Sequence, residues 1–357
     1  MGEKKEIVCH YVGAGLRVAK AVSIAGIAKS TYYYHSTGKR QGKQVSTHTL
    51  KDGCLVSNEV VVSDLIGLLS PEYHDYGYKI STILLKRQGY TINHKKVRRL
   101  MRDNHLLHPK IYKTDKIGKQ LVQYTRPPLE KPFGTIEADI KYVYIHGENR
   151  NAFLLTFLCT FSRFALVWGL DYSMKSKQVI DLTSDLINHP LLLQQSNLNN
   201  LKVVIRTDNG PQFIAKKLAE VLEELKITHE FIKPGTPQQN GHIESFHNTV
   251  TRLICNRNIL IDLDMARDIF SDFYYAYNNT RVMRELLYFP PARFLKLWNS
   301  GIIGIIKDKN DKEIFFFREK PLPQSEDGSP AEVFVCKNKI TTSNHIITNP
   351  LEISPVL

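Results

Sequence analysis

The chain has 357 residues, enough for two or three domains, and 42% of it is hydrophobic, enough for a sizeable core. Lysine and arginine (48) outnumber aspartate and glutamate (35), and the net charge of +13 predicts a polyanionic partner, nucleic acid ahead of anionic membrane. No apolar run is long enough to span a membrane, the start Met-Gly-Glu-Lys-Lys-Glu is not a signal peptide, and five scattered cysteines without a Cys-x-x-Cys argue against a disulfide framework or zinc knuckle; a cytoplasmic protein is expected.

Residues 16–35 predict two short helices broken at Gly26, the second opening at Ser30 and Thr31. Helix, glycine turn and helix make the outline of a helix-turn-helix, whose second helix would present Lys29, Ser30, Thr31 and Tyr33 to DNA. The plainer alternative is that the tyrosines at 32–34 pack a helical hairpin. Residues 36–53 are polar and basic, a linker closing a first domain at 1–53.

A second helical domain is expected at 54–108. Val60, Leu65, Ile66 and Leu69 suggest one helix, Ile80, Ile83, Leu84 and Leu85 another, and Gly89-Tyr90 a turn. Asn93 then caps a third helix in which Val97, Leu100 and Met101 form an apolar stripe. Lys95, Lys96, Arg98, Arg99 and Arg102 crowd the remaining faces, and five cations with no acid before Asp103 favour phosphate contacts over a merely solvated face. The whole region up to 108 thus reads as all-α. Residues 109–131, with Lys110, Lys113, Lys116, Lys119 and Arg126-Pro127-Pro128, read as an extended basic linker.

From 132 to 298 the pattern runs β-β-β-α-β-α-β-α, with strands near 134–144, 151–161, 164–171, 202–206 and 229–232. The stretch 190–200, rich in Leu, Gln and Asn, carries no readable chemistry, and 236–241 is expected as a mobile loop. Three acids stand out. Asp139 lies within the alternating strand T-I-E-A-D-I-K-Y-V, Asp208 ends a strand at T-D-N-G, and Glu244 falls in the first turn of a helix bearing Ile243, Phe246, Val250, Leu253 and Ile254. Carboxylates at two strands and one helix start can converge, and such convergence is costly without a cation. Three oxygen donors suit Mg²⁺ or Mn²⁺, and two such ions about 3.5–4 Å apart support in-line attack on a phosphodiester.

Between Asp139 and Asp208 lie 68 residues, and between Asp208 and Glu244 lie 35. That Asp, Asp, 35-residue, Glu spacing, with T-D-N-G-P-Q-F and P-G-T-P-Q-Q-N-G-H-I-E-S-F around it, resembles the catalytic core of retroviral integrases and bacterial insertion-sequence transposases. The runs S-P-E-Y-H-D-Y-G-Y-K-I and L-K-R-Q-G-Y-T-I-N-H-K-K-V-R-R-L-M-R resemble the helical domain ahead of that core in the transposases, extending the similarity over about 16–297. The resemblance implies an α/β, ribonuclease-H-like mixed-sheet core, with Asp139, Asp208 and Glu244 as catalytic residues holding two Mg²⁺ or Mn²⁺ ions. It also implies a homo-oligomer acting on double-stranded DNA, both the element's terminal repeats and the target, in the bacterial nucleoid. The activity implied is DNA transposition, by cleavage at element ends and strand transfer. The alternatives are a catalytically inactive DNA-binding regulator and a nuclease without strand transfer.

The sequence departs from that pattern at three places. Cys159-Thr160-Phe161-Ser162-Arg163 stands where Asp-Leu-Phe-Ser-Arg is usual, and Arg281-Val282-Met283 replaces Arg-Pro-His. Thr251 occupies the position seven after the glutamate, where a cation is common; Arg252, one residue on, becomes the substitute candidate for DNA contact. Residues 299–357 alternate apolar runs and turn residues, a small β-rich tail for DNA contact, subunit contact or packing.

Overall fold

The computed structural model describes residues 2–34, 45–108, 131–199, 202–233, 236–308 and 313–318. They fall into two units divided between Thr47 and His48.

In the first unit, α1 (Gly2–Gly13), which has no counterpart in the sequence reading, is followed by α2 (Val18–Ile24) and α3 (Lys29–Tyr33). Gly26, between α2 and α3, adopts φ +61°, the left-handed conformation that costs glycine nothing. Val8, Ala21 and Val22 are buried together, with Tyr32 packed against them, and Lys5 Nζ donates to the Tyr34 carbonyl at 2.7 Å. A core this small leaves Ser30 exposed and Thr31 half-buried on α3.

The second unit begins with an element that corrects the all-α expectation. Strands β1 (His48–Lys51) and β2 (Cys54–Ser57) form an antiparallel hairpin whose turn is Asp52-Gly53, with φ of +50° and +82°. Both residues lie in the left-handed region, as a type I′ turn requires, and Asp-Gly is a favoured pair for it. After α4 (Asn58–Leu69) and α5 (Tyr78–Arg87), the two-residue β3 (Tyr90–Thr91) pairs with β1 to complete a sheet of order β2-β1-β3. The strand therefore starts inside the stretch read as linker. Helix α6 (His94–Asp103) follows, and the Asn93 side chain accepts from Lys95 N at 2.9 Å, capping it as expected. Val97, Leu100 and Met101 of α6 are buried against Val61, Leu65 and Leu85, so the apolar stripe does face a core.

The 109–130 linker region, with its lysines, lies outside the described residues. Beyond it come β4 (Thr135–Ile145), β5 (Arg150–Cys159), β6 (Ala165–Asp171), α7 (Ser176–Ile187), α8 (Pro190–Asn199), β7 (Val204–Thr207), α9 (Lys216–Glu224) and β8 (Thr228–Phe231). The sheet order is β6-β5-β4-β7-β8, with β6, β5 and β4 antiparallel and β7 and β8 parallel to β4. This is a mixed five-stranded sheet, as the sequence resemblance implied. The stretch 190–200 supplies α8, fixed where buried Gln195 Nε2 donates to Asn299 Oδ1 at 3.0 Å.

Next come α10 (Gly241–Val250), α11 (Leu263–Asn279), α12 (Pro291–Asn299) and the hairpin β9 (Ile303–Lys307) and β10 (Glu313–Phe317). Alternation along the strands divides the core into two layers. Ile136, Ala138, Leu155 and Phe157 pack with α7, α9 and α12. Val143, Ile145, Leu154 and Leu158 pack with Ile243, Phe246 and Val250 of α10 and Phe270 and Phe273 of α11. Odd-numbered residues of β4 thus face α10. The described part of the tail, β9 and β10, packs on the first layer, where Phe315 meets Phe161 and Phe294 edge to face; residues 319–357 lie outside the described residues.

Within the second unit the small α+β region is fastened to the large sheet domain. Tyr73 packs on Phe273 and donates from its hydroxyl to the Ile269 carbonyl at 3.3 Å. Asp75, 3% exposed, pairs with Arg252 and lies 2.7 Å from Arg281 Nη1. The latter approach lacks hydrogen-bond alignment and leaves Asp75 Oδ1 bound by charge alone. The Tyr76 hydroxyl accepts from Val282 N at 3.0 Å, and Arg87 donates to the Leu287 carbonyl at 2.8 Å while lying over the Phe289 ring.

Candidate active site

The three acids flagged by spacing sit on neighbouring elements. Asp139 is in the middle of β4, on the face toward α10, and Asp208 follows the last residue of β7. Because β4 and β7 are parallel with Glu137 opposite Arg206, the next position on the same face brings Asp139 and Asp208 to adjacent places. Glu244 lies in the first turn of α10, whose apolar face rests on the same side of the sheet.

The local chemistry of each differs. Asp139 Oδ1 accepts from Ile140 N at 2.8 Å and its Oδ2 lies 3.3 Å from His247 Nδ1. Asp208 Oδ1 accepts from Gly210 N at 3.0 Å, and Asn209 Nδ2 donates to the Ile232 carbonyl at 3.0 Å, tying the end of β7 to the end of β8. Burial raises the Asp208 pKa, the Gly210 amide opposes this, and the charge of Asp139 adds to the rise. Burial likewise raises Glu244, Asp139 again adding to it and His247 opposing it. The charge of Asp139 is thus felt at both other carboxylates.

Among the described residues no three His, Cys, Asp or Glu side chains already form a metal-holding group. The donor chemistry nevertheless fits a hard divalent ion. All three acids offer oxygen, and two resist ionisation partly because of the third, a cost that a cation between them would remove.

Three groups not singled out from sequence complete the site. His247, one turn after Glu244 on α10, touches Asp139, and its buried Nε2 has no partner among the described residues; the E-S-F-H spacing was its signal. Glu137, 1% exposed, accepts from His242 N at 3.1 Å and Ile243 N at 2.8 Å. Burial pushes its carboxyl up to about 7 against the pull of the Ile243 amide and Arg206. Arg206 lies 3.7 Å from Glu137 Oε1 and donates to Glu230 Oε2 at 3.0 and 3.1 Å. The loop expected over the site forms a 3₁₀ turn at Pro237–Asn240, where Gln239 Oε1 accepts from Lys233 N at 2.7 Å.

The DNA candidates divide. On α6, Lys95 and Arg98 are exposed, Arg98 lying over the Tyr78 ring, while Arg99 is half-buried. Lys96 donates to the His48 carbonyl at 2.6 Å, and Arg102 pairs with Asp103 at 2.8 Å. Ser30 and Thr31 belong to the first unit. Arg252, whose side chain is 42% exposed, pairs with buried Asp75. The helix widens to π-type spacing over Thr251–Cys255, which takes these side chains off the ideal 100° grid on which a DNA-facing placement rested.

An integrase core domain family matches residues 130–237, a second integrase core domain family 225–291, and an HTH-like domain family 70–113. The chain is 27% identical to the insertion element IS476 uncharacterized 39.2 kDa protein of Xanthomonas euvesicatoria, over 63% of this chain and 62% of that protein. It is 27% identical to the insertion element IS407 uncharacterized 31.7 kDa protein of Burkholderia multivorans, over 66% of this chain and 81% of that protein. With the transposase for insertion sequence element IS904 of Lactococcus lactis identity is 26%, over 69% of this chain and 96% of that one. Among solved structures, the catalytic domain of Mos1 mariner transposase shows 14% identity and a TM-score of 0.35, over 47% of this chain and 82% of that one.

Proposed function

We propose that this chain, which carries an integrase core and an HTH-like domain and is a homologue of insertion-element transposases, is a metal-dependent DNA transposase that cuts at element ends and joins them to target DNA. The observation that carries this reading is the placement of Asp139 on β4, Asp208 just past β7 and Glu244 in the first turn of α10 at one face of a mixed sheet. Asp139, Asp208 and Glu244 would hold two Mg²⁺ or Mn²⁺ ions. Bound there, the ions supply Lewis acidity to the attacking and leaving oxygens of a phosphodiester. Asp139 and Asp208 on the sheet and Glu244 on α10 would supply the oxygen donors, with His247 holding one oxygen of Asp139 in place.

DNA would be held by the exposed cations of α6, Lys95, Arg98 and Arg102, joined by Lys96 and Arg99 on the same helix, by Ser30 and Thr31 on α3, and more weakly by Arg252. Contacts to phosphate fix position without reading sequence. Pairing two element ends calls for more than one copy, hence a homo-oligomer. The work would take place on the nucleoid, in the cytoplasm. Among the described residues no helix is long and apolar enough to cross a membrane.

The test is strand transfer on the element's own ends with Mg²⁺ or Mn²⁺, comparing the intact chain with Asp208→Asn and Glu244→Gln. Joined product is expected from the intact chain, with a loss of roughly 1,000-fold in each variant, the scale of the several kcal/mol such ions contribute. Chelation with EDTA should abolish it. Cleavage without joining would mean a nuclease, and DNA binding without chemistry in all three proteins would mean a regulator.

A further inference from the structure

Resting on that reading, we infer that Glu137 is the positioning residue that sets where Glu244 stands relative to Asp139 and Asp208. Glu137 and Asp139 are two residues apart on β4 and share a face, and Glu137 lies fully within the protein at 1% exposure. Its Oε2 accepts from the amides of His242 and Ile243, the two residues immediately before Glu244, at 3.1 and 2.8 Å. The strand bearing one catalytic carboxylate therefore grips the helix bearing another at the adjoining backbone.

The usual source of such a cap is absent. Asn240, at the position before α10 where an asparagine side chain ordinarily accepts from the first turn, makes no capping bond, and its buried Oδ1 has no partner among the described residues. The entry of α10 is thus fixed from the sheet and not from its own sequence. Arg206 extends the grip. It stands opposite Glu137 on β7, two residues before Asp208, 3.7 Å from Glu137 Oε1. From there it donates to Glu230 on β8 at 3.0 and 3.1 Å and to the Gln239 carbonyl in the turn before α10 at 3.4 Å. Buried Glu137 and Arg206, with the more exposed Glu230, thus join β4, β7, β8 and α10 next to the catalytic carboxylates. A buried carboxylate is costly to keep when an apolar residue would pack as well, so a helix held by one is held for its placement.

The experiment uses the full chain carrying Glu137→Ala, Glu137→Gln, or Glu137→Met with Arg206→Met. The paired methionines replace the ion pair by apolar side chains of similar volume, a change that generally preserves folding. Three quantities are read: Mn²⁺ binding by electron paramagnetic resonance of the free ion, cleavage rate on a duplex of the element's end, and affinity for that duplex. Loss of a group that orients metal-holding residues typically costs 10- to 100-fold. Glu137→Ala and the methionine pair should weaken Mn²⁺ binding and slow cleavage by roughly that range, with duplex affinity within about twofold of the intact chain. Glu137→Gln keeps a carbonyl acceptor for the two amides and should recover most of the loss. Intact Mn²⁺ binding and cleavage rate in the folded methionine pair overturns the inference, as does a loss in which Glu137→Gln is no better than Glu137→Ala. An Asp139→Asn control that binds Mn²⁺ like the intact chain would instead sink the assignment of the catalytic carboxylates, and this inference with it.

Discussion

Asp139 is the residue through which the other two carboxylates are coupled, and its removal has a signed consequence. Burial raises both Asp208 and Glu244, and the Asp139 charge adds to each rise. In metal-free protein, Asp139→Asn should therefore lower the pKa of both, leaving burial opposed by the Gly210 amide at Asp208 and by His247 at Glu244, as followed by carbon-13 NMR of the carboxyl groups. Values that stay put would mean that the three acids do not share a site. The positions of these acids were readable because each stands at a local landmark: an alternating strand, an Asn-Gly turn, a helix start. Glu137 was not. An acid in an apolar strand looks like an exposed edge residue, and its partners at His242 and Ile243 lie more than a hundred positions away. The pairing of Arg252 with Asp75 was not legible either, since its helical position was extrapolated through a turn that widens and Asp75 belongs to a different region of the chain.

At the scale of elements, the small α+β region and the sheet domain meet at Asp75, between Arg252 and Arg281. Removing one partner of a buried pair strands the charge of the others. Asp75→Ala should cost about 3 kcal/mol of stability, measured by urea denaturation, because Arg281 is left buried without its counter-ion. Arg252→Ala should cost less, since its side chain is 42% exposed, and should weaken DNA binding only slightly. Markedly weakened DNA binding with unaltered stability would make Arg252 chiefly a DNA contact. Most elements followed from periodicity, including the cap at Asn93 and the five strands of the large sheet. The missed hairpin of β1 and β2 has only four residues per strand, too few for alternation to register, although Asp52-Gly53 marks its turn. Helix α8 escaped because a run of Leu, Gln and Asn has no apolar face; its place depends on contacts such as that of Gln195 with Asn299.

For the whole molecule, a net charge of +13 makes attraction to DNA general, so affinity alone does not identify the binding face. Salt dependence does, because each phosphate neutralised by the protein releases condensed counterions and contributes about 0.9 to the slope of log affinity against log salt. Lys95 and Arg98 are exposed on α6, whereas Lys96 and Arg102 have partners within the chain, at the His48 carbonyl and at Asp103. Replacing Lys95 and Arg98 together by alanine should reduce the magnitude of the slope by about 2 and weaken binding equally on end and unrelated sequences. A loss confined to the element's ends would instead make these two side chains readers of bases. An unchanged slope would remove α6 from the interface, leaving the chain's excess of charge to act through other surfaces. The outcome is insensitive to catalysis, since α6 and the three carboxylates lie on different elements, and it therefore separates how the protein holds DNA from how it cuts it.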